Sequence, residues 1–214
     1  IEYRGKKDSA RWIAGWNLAI SLGSLVIAFM IGALLALTST GLPLNANGDR
    51  VGGAFAWVTP AVLMGGLAMV GLSLVMGLAF VALKTDGEIR HRARTLLLRL
   101  LPLLLLPVTG WVLYLQFTAG KALSWSFTVV AVIAAVGAWT LLKAGHEGKG
   151  FAALASFTVL GVSAIFLALY PNVLPSTLNE AHHLTISSAS SSDYTLTVMS
   201  WVAIFGVPIL LIYQ

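Results

Sequence analysis

The sequence predicts an all-α fold, a polytopic transmembrane helical bundle with six spans, and three observations carry that prediction. Six apolar stretches of about 20 residues or more occupy most of the 214-residue chain. Each is long enough to cross ~30 Å of hydrocarbon at ~1.5 Å of rise per residue. Charged residues make up only 10% of the chain against 58% hydrophobic, where a globular domain carries ~25% charged. The apolar character also runs round each stretch, with no polar face opposite. Lipid offers no partners for backbone amides, so spanning segments are helices or closed barrels. The alternating segments of about ten residues that mark barrel strands are absent from the sequence.

The spans run approximately Trp12–Thr38, Phe55–Leu83, Leu96–Phe117, Leu123–Leu142, Phe151–Leu169 and Leu196–Tyr213, within one transmembrane domain covering 1–214. The first carries Gly15, Ala19 and Gly23, then Ala28, Gly32 and Ala36, at four-residue spacing. Small residues so spaced let helix backbones approach closely. The second has one such pair, Ser73 and Gly77. Pro102 and Pro107 are expected to kink the third, and Pro208 the last. Trp57, Trp125 and Tyr170 sit at water boundaries, as interfacial aromatics do.

The loops give the orientation. Arg4, Lys6, Lys7 and Arg11, then Lys84, Arg90, Arg92 and Arg94, then Lys143 and Lys149 fall on one side, and only Arg50 and Lys121 on the other. Cytoplasmic loops carry the excess of Lys and Arg, so residue 1 is expected on the cytoplasmic side of the membrane. The same distribution explains the net charge of +5. It points to orientation and anionic lipid, with no nucleic acid as partner. Having no cysteine, the chain offers no disulfide and no thiolate metal site. Ile1 opens directly into a polar segment and Gln214 follows the last apolar residue without a basic anchor, so a longer native chain is expected.

Candidate chemistry is sparse. Glu2, Asp8, Asp49, Asp86, Glu88, Glu147, Glu180 and Asp193 all fall in loops or at span ends, as do His91, His146, His182 and His183. Transmembrane proton relays ordinarily use Asp, Glu or His within the bilayer. Arg99 is the single ionisable residue inside a span. It lies about one turn from the cytoplasmic end, where its side chain can reach the headgroups; a lipid phosphate or an ion pair with a partner subunit is the sharper reading. Met30, Met64, Met69, Met76 and Met199 read as packing residues, and the Ser-rich loop around His182 and His183 as a weak metal motif. The cluster Asp86, Glu88, Arg90, His91, Arg92 and Arg94 reads as a solvated cytoplasmic loop. No metal ligand, catalytic residue or cofactor-binding residue stands out.

Four stretches resemble subunit II of the bacterial cytochrome bd quinol oxidases. They are Glu2-Tyr3-Arg4 with Arg11-Trp12; Leu83 to Glu88 with Arg90, Arg92, Ala93 and Arg94; Tyr170 to Ser176; and Leu184-Thr185-Ile186 with Tyr194 to Val202 and Val207-Pro208-Ile209. The resemblance implies that the six spans correspond to the family's helices four to nine. It implies a heterodimer with a homologous subunit I, which holds two b-type haems, one d-type haem and the quinol-binding loop. The complex then oxidises quinol and reduces dioxygen to water with cytoplasmic protons. This chain is expected to bind no haem itself, to support subunit I, and to hold quinone or membrane lipid in an apolar groove. The resemblance also assigns the intersubunit contact to Trp201, Phe205 and Pro208. A small accessory subunit as a third member is left open. The rivals are a transporter or permease subunit without redox chemistry, and an assembly protein.

Overall fold

A computed structural model describes residues 2–6 and 9–213. Six long helices are apolar enough to cross a membrane: α1 (Ala10–Thr40), α2 (Pro60–Lys84), α3 (Gly87–Ala119), α4 (Ala122–Lys143), α5 (Glu147–Leu169) and α7 (Asp193–Tyr213). Between α5 and α7 lie β1 (Asn172–Leu174), β2 (Leu184–Thr185) and the short α6 (Ile186–Ala189).

Two boundaries differ from the sequence expectation for physical reasons. The second span starts at Pro60 instead of Phe55. Thr59 caps it, its hydroxyl accepting from the Val62 amide at 3.2 Å, and Pro60 occupies the first turn, where its missing amide proton costs nothing. The third starts at Gly87 instead of Leu96, so the charged cluster expected to be a solvated loop is helical. The i,i+4 pair of Glu88 with Arg92 at 2.6 Å supports that extra length. α3 then runs unbroken through Pro102 and Pro107, and α7 through Pro208.

α1, α2 and α3 pack in sequence, α4 packs on α5, and α5 closes against α2 and α3. Small residues set the approach. A Cβ on Gly32 would run into the Gly65 carbonyl, one on Gly65 into Ala36, and one on Gly71 into the Leu104 carbonyl. Gly32 and Ala36 of the predicted stripe thus meet α2, whereas Gly15, Gly23 and Gly77 face open space. Gly41 ends α1 at φ 90°, its Cα against the Pro175 carbonyl. That approach excludes a side chain, and the positive φ suits glycine. α7 buries no residue.

The loops gather at two ends. Arg90 and Arg94 of α3 reach Glu147 and the end of α4 at one end. At the other, Thr177 donates to the Leu42 carbonyl at 2.9 Å, and the Lys121 ammonium contacts the Tyr170 carbonyl. Alternate loops therefore share an end, as six successive crossings require.

Candidate functional site

Three features within the bundle carry potential function, and each is built by specific side chains. The first is an apolar cavity of about 260 Å³, lined by Leu35, Met69, Leu72, Trp111, Phe157 and Ile165 among others. Thr109, Thr128 and Thr158 also face it, but each hydroxyl donates back to its own helix, to the Leu105, Ser124 and Leu154 carbonyls at 2.8–2.9 Å. The wall consequently offers little unspent polarity, and suits an apolar ligand. Beyond it, the Trp111 indole donates to the Ser39 hydroxyl at 3.3 Å, and the Ser124 hydroxyl to the Gln116 side-chain carbonyl at 2.7 Å. These buried polar groups are satisfied in pairs, as low-dielectric surroundings demand.

The second feature is a clasp at the basic end. Glu147, 5% exposed at the start of α5, accepts from Arg90 Nε at 3.3 Å and Nη2 at 2.9 Å. Arg94 Nη1 stands 3.8 Å from the same carboxylate. Arg94 also donates from Nε to the Leu142 carbonyl at 3.0 Å and from Nη2 to the Lys143 carbonyl at 2.9 Å. A guanidinium thus closes the C-terminus of α4, satisfying orphan carbonyls and meeting the negative end of the helix dipole. Reading Arg90 and Arg94 as solvated loop charges is therefore corrected: both are spent on joining α3 to the α4–α5 turn. Sequence reasoning passed over Glu147 as a span-end acid, because its partners lie far away in the chain.

The third is the outer surface of α7. Trp201 and Phe205 stack, ring centroids 5.9 Å apart and planes at 12°. They are 59% and 61% exposed. Pro208 is exposed on the same helix, and an added Cβ on Gly206 would touch nothing. The three residues expected at a subunit contact are thus presented outward together.

The remaining candidates are placed as follows. Arg99 is exposed on α3, without a hydrogen bond or ion pair among the described residues. His183 Nδ1 accepts from the Ser176 amide at 3.0 Å. His182 Nδ1 lies 3.1 Å from the Leu44 carbonyl, toward which only a protonated nitrogen can point. The His182 ring thus ties the loop after α5 to the loop after α1, while the His183 ring braces the loop after α5 internally. His91 and His146 are exposed at the basic end. Met64, Met69 and Met76 pack against the core, while Met30 and Met199 are 44% and 61% exposed.

The sequence model of a family described as "Cytochrome bd terminal oxidase subunit II" matches residues 1–214. The chain belongs to that family. With six apolar helices, this makes it an integral bacterial membrane protein, and the transporter reading falls away. It is 28% identical to "Cytochrome bd ubiquinol oxidase subunit 2" of Bacillus subtilis over 213 residues, 97% of this chain and 63% of that protein. It is 28% identical to "Cytochrome bd-I ubiquinol oxidase subunit 2" of Escherichia coli K12 over 253 residues, all of this chain and 66% of that protein. "Probable cytochrome oxidase subunit 2" of Haemophilus influenzae is 25% identical, again over 66% of its length. The chain therefore spans just under two thirds of the length of these relatives. Cytochrome bd complexes carry haem; among the described residues the histidines sit at the bundle ends, two of them bonded to loop backbone, and Met64, Met69 and Met76 pack among apolar side chains.

Proposed function

We propose that this chain serves as the haem-free second subunit of a bd-type quinol oxidase, an oxidoreductase complex that oxidises quinol and reduces dioxygen to water. The match of the subunit II family over residues 1–214 carries this reading. Haem b and haem d belong, on this account, to subunit I. The chain's own work is to dock against subunit I and steady it, with α7 and its Trp201–Phe205 stack as the docking face. That helix buries nothing within the chain, which leaves its apolar surface for a partner or lipid.

The cavity beside Trp111 is the groove in which quinone or a lipid chain would rest. Its self-satisfied threonines favour an apolar occupant over a polar one. The end bearing Arg90, Arg94 and Lys149 faces the cytoplasm on this reading, because basic residues concentrate there. Quinol-dependent oxygen uptake by the complex isolated through this chain tests the proposal. Uptake supported by reduced quinone is expected; a complex that consumes no oxygen overturns it.

A further inference from the structure

One face of α3 changes character along its length, from charged through a lone cation to aliphatic. Glu88, Arg92, Thr95, Arg99, Leu103 and Leu106 follow each other at steps of three and four, which places them on one side of the helix. The lower part of this face is an open surface formed by Glu88, His91, Arg92, Thr95, Leu96 and Arg99. Above it Leu103 and Leu106 are 61% and 62% exposed.

The charges are unevenly matched. Arg92 is held by Glu88 at 2.6 Å, whereas Arg99 has no partner among the described residues. The depth is set by a neighbour. Arg94 binds the last carbonyls of α4, so its guanidinium is level with the C-terminus of that helix. Arg99 is five residues farther in, about 7.5 Å along the axis. Helical side chains lean toward the N-terminus, which here is the polar end, so a long arginine stem on this face can carry its guanidinium back toward the headgroup side.

We infer that this face of α3 binds an anionic phospholipid, with Arg99 on the phosphate, His91 and Arg92 beside the headgroup, and Leu103 and Leu106 along an acyl chain. The order of chemistry along the helix is that of the lipid itself: polar headgroup, phosphate, hydrocarbon. A free phosphate would match only Arg99 and would leave the leucines unused. A carboxylate from another subunit would use the charge and ignore the sequence of surfaces.

Native mass spectrometry of the intact complex in detergent, supplied with phosphatidylglycerol or phosphatidylcholine, tests this. One phosphatidylglycerol is expected to be retained in the wild type and lost in Arg99→Gln, with retention falling about fivefold at equal lipid, the effect of one interfacial cation. Arg99→Lys should restore most of it. Glu88→Gln, by freeing Arg92, should hold phosphatidylglycerol at least as well as the wild type. Inorganic phosphate should not displace it. Equal retention in wild type and Arg99→Gln, displacement by inorganic phosphate, or release of a partner polypeptide from Arg99→Gln with lipid retention unchanged would each overturn the inference.

Discussion

Glu147 at the start of α5 and Arg90 in the first turn of α3 face each other, two nitrogens of one guanidinium on two oxygens of one carboxylate at 3.3 and 2.9 Å. The carboxylate is almost fully shielded while the guanidinium is partly open to solvent. Removing the cation would leave a shielded negative charge, and removing the carboxylate would leave Arg94 without its ion-pair contact. Paired, hydrogen-bonded charges of this kind are costly to break from one side.

Glu147→Gln is accordingly expected to lower the thermal midpoint of the purified complex by several degrees. Its mirror, Arg90→Gln, should do the same, and the double variant should lose less than the sum. Additive losses would mean that the two residues act separately.

The backbone approach at Gly71 makes a second expectation. A side chain there meets the Leu104 carbonyl, while one at Gly77 meets open space. Gly71→Val should destabilise the α2–α3 contact by about 1–3 kcal/mol, as overpacking does. Gly77→Ala should be neutral, or stabilising by up to ~1 kcal/mol through helix propensity. Thermal melts of the two variants separate these outcomes, and equal behaviour would contradict the packing described.

Gly206 lies between Phe205 and Pro208 with free space about it. Gly206→Leu therefore leaves this chain's own packing intact, and any effect reports on what covers α7. Copurification of the proposed partner, subunit I, should fall with Gly206→Leu and with Trp201→Ala. Undiminished copurification of both would remove α7 from the interface.

Gly161 lines the apolar cavity and has room for a side chain. Gly161→Leu should fill part of that space and reduce the quinone or lipid extracted with the complex. An unchanged extract would place the apolar ligand elsewhere.

Much of this architecture was legible before any coordinates. Apolar runs long enough to span lipid can be only helices or barrel strands, so the six spans follow directly from hydropathy. The charge asymmetry grouped the loops correctly by end, as the Arg94–Leu142 and Leu42–Thr177 contacts bear out. The extension of α3 below Leu96 was obscured because polarity hides a helix that has left the bilayer, although the Glu88–Arg92 spacing was available as a signal. In α2 the spacing pointed to Ser73 and Gly77, yet Gly77 faces open space and the close approaches fall at Gly65, Gly66 and Gly71, because small-residue spacing alone does not say which face meets a neighbour. The Glu147 clasp had no local signal, since it joins residues 57 apart. Nor can hydropathy separate a helix face covered by protein from one covered by lipid: both are apolar, and Trp201 looks the same in either setting.

A reduced-minus-oxidised absorption spectrum of the complex purified through this chain tests the central claim most directly. Bands of both b-type and d-type haem are predicted, since the chain is held to be the haem-free partner of a haem-bearing subunit. A colourless preparation that retains its partner polypeptides would contradict it.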